Sequence, residues 1–164
     1  MTATERVRVV TWADQLAFAN AAAELSGLEF LRAMARGDIP AAPMMDLIGL
    51  RLISADPGET VFRLTPAEFH CNPTWSVHGG VYATMLDSAA ACAVHTTLPA
   101  GGRFSTLDLS VRLLRPIRMD TGPVTATGAV VHSGRQIALA EARLTDAEDR
   151  LLATATANCF TSRP

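Results

Sequence analysis

The sequence predicts an α+β domain in which an antiparallel sheet of about six strands wraps around one long central helix, with shorter helices on the N-terminal side. One long apolar helical stretch lies near the middle of the chain, within residues 72–94. Segments with the alternation of β-strands lie on both sides of it, at 50–55, 60–65, 104–115, 123–132, 136–145 and 151–161. A sheet curled around the helix buries both the helix and the apolar strand faces.

The central helix follows the turn-forming stretch NPTWSVHGG and is apolar or small on nearly every side. That pattern is typical of a buried helix, which we expect to end near Thr97, before Pro99. One acid, Asp87, interrupts the apolar run. Because an ionised carboxylate in a dry core is costly unless it is paired, Asp87 is the first candidate for a catalytic residue.

Shorter helices are expected before the sheet. One short helix could follow Asp14. Ser26 and Glu29 have the spacing of a capping box, which predicts the start of a helix that ends at Gly37. A further helical turn is expected at 43–48.

The strand at 104–115 has the clearest alternation in the chain. One predicted face is apolar and consists of Leu107, Leu109, Val111 and Leu113. The other predicted face is polar and consists of Thr106, Asp108, Ser110 and Arg112. A sheet of this kind leaves an open edge strand, and pairing the edges of two subunits closes it. We therefore expect a homodimer, or a homotetramer built from two dimers.

Length and cysteine content bound the organisation of the chain. With 164 residues, a single domain is expected at 26–164, preceded by an N-terminal extension at 1–25. The three cysteines are far apart and odd in number, which favours a reducing cytoplasm over a disulfide framework. They are Cys71, Cys92 and Cys159.

Charge and hydropathy exclude several classes of function. A net charge of −2 and a pI near 6.0 argue against the basic footprint of a nucleic-acid-binding protein. No stretch reaches the roughly 20 apolar residues of a membrane span, and the N-terminal residues do not form a signal peptide. His70, Cys71 and His78 lie close in sequence but without the spacing of metal ligands, so no metal site is expected.

The motif around the central helix resembles a known family. Asn72, then His78-Gly79-Gly80, then Asp87, followed by four strands, is similar to the hotdog-fold acyl-CoA thioesterases. The resemblance is to the phenylacetic-acid-degradation branch of the 4-hydroxybenzoyl-CoA thioesterase superfamily, and it runs from about Ser26 to the end. Further matching stretches are LEFLRAM, STLDLSVRLLRPI, GPVTATGAVVHSGR and ARLTDAEDRLLATATANC.

The resemblance implies a hydrolase for acyl-CoA thioesters that needs neither metal nor organic cofactor, and the apolar residues near the start of the central helix favour aryl or medium-chain acyl groups. It implies that Asp87 is the general base or the nucleophile. The backbone N–H of Gly79 would polarise the thioester carbonyl, and a helix N-terminus supplies such a donor because its first N–H groups have no intrahelical partner. Asn72 and His78 would orient the carbonyl or the water.

Further residues are implied around this motif. Thr106 lies where the family has a hydroxyl residue that helps to hold the water, with Ser105 as the fallback. Thr84 could hydrogen-bond the Asp87 carboxylate. The residues expected to bind the substrate are Gly80, Tyr82, Thr84, His132, Ser133, Gly134 and Arg135.

Two of these implications leave alternatives open. The stretch 132–135 could bind CoA phosphates through its arginine and backbone N–H groups, or it could be a plain hairpin turn. Aromatic and long apolar side chains near the start of the central helix favour an apolar tunnel for the acyl group. They are Phe69, Trp75, Tyr82 and Met85.

The spacing of Gly79 and Asp87 has a geometric consequence. Eight residues of ideal helix separate them by about 12 Å, so one thioester carbon cannot contact both. Two such helices running antiparallel across a two-fold axis would bring Gly79 of one subunit beside Asp87 of the other. We therefore expect composite active sites and an inactive monomer.

Two rival functions share the predicted fold. A hotdog-fold hydratase resembles this chain less, because that branch carries Asp-x4-His on its helix and the fifth residue after Asp87 here is Cys92. A non-catalytic acyl-CoA sensor would keep the pocket and lose the acid, which is present. A thiol-release assay separates the sensor from the enzyme.

Overall fold

The computed structural model describes residues 4–164 and confirms the predicted fold class. Three helices come first: α1 (Gln15–Glu24), α2 (Gly27–Arg36) and α3 (Pro43–Ile48). The remaining elements are β1 (Arg51–Asp56), β2 (Glu59–Leu64), α4 (Gly79–His95), β3 (Arg103–Leu113), β4 (Val124–Ser133), β5 (Ile137–Thr145) and β6 (Leu151–Ser162). The six strands form one antiparallel sheet in the order β1-β2-β4-β5-β6-β3.

Local signals mark the start of α1 and both ends of α2. The Asp14 carboxylate accepts the Leu16 N–H at the start of α1. The predicted capping box is present at α2: Ser26 Oγ accepts the Glu29 N–H, and Glu29 Oε2 accepts the Ser26 N–H. Gly37 then ends α2 in the left-handed conformation. Of the predicted extension 1–25, residues 1–3 lie outside the described residues, and the boundary at residue 26 stays a prediction.

The long helix α4 lies in the curve of the sheet and contacts β2, β3, β4, β5 and β6. Gly128 on β4 permits the closest approach, because a Cβ atom there would lie 2.1 Å from the Ala89 carbonyl oxygen. The Thr60 hydroxyl donates to the same carbonyl at 2.8 Å. The buried face of α4 is formed by Tyr82, Met85, Leu86, Ala89, Ala90, Ala91, Ala93 and Val94.

One stripe of α4 is not covered within the protomer. Gly80 is exposed, while Ala83, Thr84 and Asp87 are only partly buried. The expectation of burial on nearly every side is wrong along this stripe, because the sheet stops at its edge strand β3. Asp87 therefore lies at the border of the core and not inside it.

A β-bulge changes the predicted faces of β3. Thr106 pairs with Cys159 and Asp108 pairs with Asn158, so Leu107 is an extra residue in β3. The extra residue reverses the alternation, which turns Thr106 toward α4 and leaves Leu107 58% exposed. The predicted positions of Thr106 on the polar face and of Leu107 on the apolar face are both wrong.

Within residues 4–164, no helix combines the length and the apolar character needed to cross a lipid bilayer.

Candidate active site

The N-terminus of α4 is capped by a histidine. His78 has an extended backbone, and its Nδ1 accepts the Gly80 N–H at 2.9 Å. A ring nitrogen that accepts carries no proton, so the neutral ring has its proton on Nε2. The backbone N–H of His78 donates to His70 and that of Val77 donates to Ile117, which fixes the entry into the helix. The imidazole of His78 therefore caps α4 while its other nitrogen stays accessible.

Gly79 is the first residue of α4, where a backbone N–H has no acceptor within the helix. In the described part of the chain this N–H has no acceptor outside the helix either. It lies at the positive end of the helix dipole. Gly79 borders a cavity of about 330 Å³ lined by Asn72, Ser76, Val77, Tyr82, Leu113, Leu114, Arg115 and Pro116.

Asn72 organises the loop that leads into α4. Its Oδ1 accepts the Thr74 N–H at 2.9 Å and the Thr74 hydroxyl at 2.6 Å, and its Nδ2 donates to Ser76 Oγ at 3.1 Å. These bonds hold Trp75 in a left-handed conformation, with φ at 61° and the indole 66% exposed. Asn72 thus borders the Gly79 cavity with an amide that is largely used to shape the loop.

Asp87 lies beside the edge strand. The Thr106 hydroxyl donates to Asp87 Oδ1 at 2.9 Å, whereas the fallback residue Ser105 is exposed on the other face of β3. Asp87 borders a second cavity of about 380 Å³, together with Ala83, Thr84, Thr106, Leu107, Asp108 and Leu109. Gly79 and Asp87 therefore border different cavities of one protomer.

Thr84 and Tyr82 are engaged elsewhere. The Thr84 hydroxyl donates to the Gly80 carbonyl at 2.9 Å, the usual back-bonding of a helical threonine, so the predicted bond to Asp87 is not formed. The Tyr82 hydroxyl donates to the Arg115 carbonyl and accepts the Ile117 N–H. Burial raises the pKa of Tyr82. Tyr82 supports the wall of the Gly79 cavity.

The predicted apolar tunnel is not formed by its four residues. Met85 lies wholly in the core, while Phe69 and Trp75 are exposed on the surface. Tyr82 borders the Gly79 cavity. The Arg8 guanidinium covers the ring of Phe69 at 3.8 Å from its centre. The prediction failed because helical spacing does not reveal that the sheet covers the Met85 side of α4, and because Phe69 and Trp75 precede the helix, where spacing does not determine burial.

His70 is a structural histidine. Its Nδ1 accepts the Ala67 N–H at 3.0 Å, and its Nε2 pairs with the Ile48 carbonyl at 2.7 Å. Burial lowers the pKa of His70, which keeps the ring neutral. With both nitrogens on backbone groups, His70 has no lone pair left for a metal ion.

The two cysteines near Asp87 do not supply a thiolate. Burial raises the pKa of Cys92 to about 12, and the charge of Asp87 adds to this effect. Burial also raises the pKa of Cys159, a hydrogen bond with Thr106 partly opposes the shift, and the charges of Asp87 and Asp108 reinforce it. Because only a thiolate is strongly nucleophilic, the Asp87 carboxylate is a better candidate for the reactive group at this point than either cysteine.

A second arginine, which the sequence patterns did not point to, contacts the β4–β5 hairpin. Arg163, from the end of the chain, donates to the carbonyls of Gly134 and Arg135 at 3.2 and 3.3 Å and reaches Ser133 Oγ at 3.4 Å. A cavity of about 210 Å³ lies between Arg135 and Arg163. His132 is exposed on the same hairpin. The antiparallel pairing of β5 with β6 brings the two arginines together.

A sequence model of the thioesterase superfamily matches residues 76–153, from the loop before α4 into β6. This stretch includes His78, Gly79, Asp87 and Thr106. The chain has the hotdog thioesterase fold.

Relatives of known name extend this result. A candidate esterase of Halobacterium salinarum is 33% identical over 103 residues, which are 60% of this chain and 66% of that protein. Human acyl-coenzyme A thioesterase 13 is 27% identical over 97 residues, 59% of this chain and 68% of that one. A solved structure from Ralstonia eutropha, a candidate thioesterase related to phenylacetic acid degradation, has 29% identity and a TM-score of 0.72 over 79% of this chain and 98% of its own.

These matches support an enzyme that hydrolyses thioesters. On this hotdog fold, the α4 N-terminus offers a hydrogen-bond donor to an oxygen that becomes negative, and Asp87 offers a base or a nucleophile. Thr106 orients the carboxylate. Within one chain these two candidate groups border separate cavities.

Proposed function

We propose that the protein hydrolyses aryl or medium-chain acyl-CoA thioesters to the free acid and CoA. The observation that carries the proposal is the partly buried Asp87, hydrogen-bonded by Thr106 on the uncovered stripe of the helix whose first N–H, at Gly79, is uncommitted. The human thioesterase and the Ralstonia protein, whose names refer to acyl-CoA and to phenylacetic acid degradation, favour this substrate class.

The active site is composite. Gly79 and Asp87 lie about 12 Å apart along α4 and border different cavities, so they cannot hold one carbonyl within a protomer. Antiparallel pairing of two α4 stripes and two β3 edges, with the two-fold axis near Ala83, places Gly79 of one protomer beside Asp87 of its partner. The exposed edge of β3 favours this arrangement, because unpaired strand edges are normally covered.

In this site the Gly79 N–H donates a hydrogen bond to the thioester carbonyl oxygen, and the bond strengthens as that oxygen becomes negative. Asp87 either removes a proton from water as the water attacks the carbonyl carbon, or attacks that carbon directly. The C–S bond then breaks, and the CoA thiolate leaves and takes up a proton. After direct attack, water must also hydrolyse the acyl–Asp87 anhydride, which releases the acid and restores the carboxylate. His78 and Asn72 lie on the Gly79 side of this site and orient the thioester carbonyl or the water.

The test of function is thiol release from a panel of aryl and medium-chain acyl-CoAs. We expect turnover by the wild type and a loss of about 10²- to 10⁴-fold in kcat for Asp87→Asn, the range of general base catalysis. Ser88→Ala, the next position of α4, is the matched control. Tight binding of acyl-CoA without thiol release by the wild type would contradict the proposal and support the sensor.

The oxyanion donor can be removed without removing the helix. Proline is favoured at the first position of an α-helix and has no N–H, so Gly79→Pro deletes the donor where the fold tolerates it. Gly79→Ala keeps the N–H and is the control, since its Cβ would lie 3.2 Å from a flexible methyl of Leu113. We expect kcat to fall about 10²- to 10³-fold for the proline variant.

The composite site is tested by mixing two inactive proteins, Asp87→Ala and Gly79→Pro. If each site takes Asp87 from one chain and Gly79 from the other, half of a random mixture is heterodimer with one intact site. We therefore expect recovery of about a quarter of wild-type activity after subunit exchange. Sites contained within single chains would leave the mixture inactive.

The β4–β5 hairpin is proposed to bind the CoA phosphates through Arg135, aided by Arg163. Arginine is suited to phosphate because its planar fork of N–H donors matches the anion. We expect Arg135→Ala to raise KM for acyl-CoA and to leave hydrolysis of the short N-acetylcysteamine thioester unchanged. Equal effects on both substrates would contradict a phosphate contact.

A further inference from the structure

The outward side of the edge strand β3 carries charges that are complementary to a second copy of the same strand. We propose that two protomers pair their β3 edges antiparallel with Ser110 on the two-fold axis, so that Asp108 of each chain lies opposite Arg112 of the other. The partner is a second copy of this chain, and the pairing has one register. The inference deepens the composite site of the proposed function and rests on that function only for what the register assembles.

Side chains on β3 point alternately to the two sides of the sheet. Leu109 and Val111 are partly buried on the side that faces α4. Asp108, Ser110 and Arg112 are exposed on the outward side. Residues directly opposite each other in an antiparallel pair lie on the same side of the sheet. A two-fold axis normal to the sheet must therefore pass through a residue of β3 and not between two residues.

Charge selects one of these axes. With the axis at Ser110, the negative Asp108 of each chain lies opposite the positive Arg112 of the other, which gives two ion pairs. An axis at Asp108 or at Arg112 would place two like charges directly opposite each other, which destabilises a strand pair. An axis at Leu109 or Val111 would leave both charges opposite uncharged residues. Only the axis at Ser110 pairs every charge.

Both charges are available for a partner. Within residues 4–164, neither Asp108 nor Arg112 makes an ion pair. Their spacing along the strand is about 13 Å, so they cannot pair within one chain. The Asp108 carboxylate accepts two hydrogen bonds from Asn158 Nδ2, at 3.1 and 2.9 Å. Because an ionised carboxylate has about four lone-pair sites, Asn158 anchors it at the sheet edge and leaves room for an arginine.

The packing of α4 on β3 leads to the same axis independently. A Cβ on Gly79 would lie 3.2 Å from the Leu113 side chain, and the Thr106 hydroxyl donates to Asp87 at 2.9 Å. Gly79 and Asp87 therefore lie level with Leu113 and Thr106 on the edge strand. A two-fold axis that brings Gly79 beside Asp87 of the partner must cross β3 midway between those levels, within one residue of Ser110.

The register gives the composite site an apolar wall. Leu113 borders the Gly79 cavity and Leu107 borders the Asp87 cavity, and they are 53% and 58% exposed in the protomer. In the proposed register, Leu113 of one protomer lies opposite Leu107 of its partner. Pairing removes both side chains from water, which favours association. It also places them between Gly79 and the catalytic carboxylate of the partner, where they suit an apolar acyl group.

The position of the axis is tested by a cross-link. In Ser110→Cys the two introduced thiols lie directly opposite each other, with Cα atoms about 4.5 or 5.5 Å apart, within the range of a disulfide. We expect oxidised glutathione to convert the dilute protein almost completely to a disulfide-linked dimer on a non-reducing gel. Ser105→Cys, also exposed on β3, is the control, because the register separates it from its copy by about 34 Å. The wild type controls for the native cysteines.

The ion pair is tested by exchanging its charges. Asp108→Arg or Arg112→Asp alone places like charges opposite each other. We expect the dimer dissociation constant, measured by analytical ultracentrifugation, to rise about tenfold or more. The double variant rebuilds both pairs with reversed roles and should return the constant to within about threefold of the wild type. Arg103→Asp, exposed at the start of β3, makes the same change in net charge as Arg112→Asp and should leave the constant unchanged.

The outcomes separate the register from the proposed function. A Ser110→Cys cross-link together with recovery in the double variant supports the register; if the wild type then releases no thiol from any acyl-CoA, only the function fails. A monomeric wild type, no cross-link in Ser110→Cys, or a double variant no tighter than Arg112→Asp overturns the register, even where thiol is released. Circular dichroism shows which charge variants remain folded, and the conservative Ser110→Cys decides the register if they do not.

Discussion

At the scale of single residues, the site depends on one hydrogen bond of 2.9 Å between the Thr106 hydroxyl and Asp87 Oδ1. The bond occupies one carboxylate oxygen and leaves the other for water or for the carbonyl carbon. It also compensates part of the desolvation of a partly buried acid. Two residue-scale predictions follow from the partners of Thr106 and His78.

Replacing the Thr106 hydroxyl should separate orientation from packing. Thr106→Val has nearly the same shape without the donor, so we expect kcat to fall about ten- to a hundredfold, while Thr106→Ser keeps most of the activity. Ser105→Ala, on the exposed face of the same strand, is the control. Steady-state thiol release measures all three, and an active valine variant would contradict the role of the hydroxyl.

His78 has a structural role that can be measured apart from catalysis. Its Nδ1 caps Gly80, so His78→Ala should lower the free energy of unfolding by about 1 kcal/mol, the usual cost of losing a helix N-cap. Asparagine is itself a good N-cap, and His78→Asn should keep the stability. Urea denaturation gives the comparison. An alanine variant as stable as the wild type would show that the cap contributes nothing.

At the scale of elements, helix α4 and the sheet are joined by a contact too close for any side chain. A Cβ on Gly128 would lie 2.1 Å from the Ala89 carbonyl oxygen, which is backbone and cannot move independently. The close contact allows the sheet to wrap α4 tightly. It also makes α4 a rigid support for Gly79 at one end and Asp87 in the middle.

Gly128→Ala should therefore be strongly destabilising. The methyl group forces α4 away from β4, and we expect a loss of several kcal/mol or failure to yield soluble protein, as for overpacked cores. Thr127→Ala, on the outer face of the same strand, should change the stability little. Urea unfolding midpoints measure the stability of both variants. A Gly128→Ala variant as stable as Thr127→Ala would contradict the tight contact.

The last turn of α4 should make stability depend on pH. His95 lies between the rings of Phe30 and Phe104, at 5.7 and 4.8 Å between centres, and burial lowers its pKa from 6.5 to about 4. Between these values the unfolded chain binds a proton that the folded protein does not, so stability decreases as the pH falls from 6.5 to 4. In His95→Phe, the decrease in stability that His95 causes over this pH range should disappear. Urea midpoints across that range measure it, and identical pH profiles would exclude His95 as a cause.

At the scale of the whole molecule, the protomer has an uncovered α4 stripe and an unpaired β3 edge on the same side. The cavities beside Gly79 and beside Asp87 are both lined by residues of α4 and β3. A second copy that covers this side would close the sheet edge and complete two sites at once.

A charge at the centre of the stripe should separate the protomers. Ala83→Arg places two guanidinium groups near the proposed two-fold axis, so we expect a monomer by light scattering, with native circular dichroism and no turnover. Asp120→Arg, on an exposed turn, should keep both the assembly and the activity. A monomeric Ala83→Arg protein with full turnover would refute the composite site.

Much of the fold and part of the site follow from local sequence. Apolar spacing, the Ser26–Glu29 box and turn residues determined the type and order of the elements, because these signals act within a few residues. The position of Asp87 on the central helix and of Gly79 at its start is likewise a matter of local spacing.

Only the tertiary structure decided how these residues are used. The bulge at Leu107 turned Thr106 toward Asp87, Thr84 bonded its own helix, and Arg163 reached the β4–β5 hairpin. The Thr106 and Arg163 outcomes depend on register and contact between separate segments of the chain, whereas the Thr84 outcome is a local choice between Asp87 and the Gly80 carbonyl. Periodicity within one segment cannot specify them, because it records which residues share a face and not what that face meets.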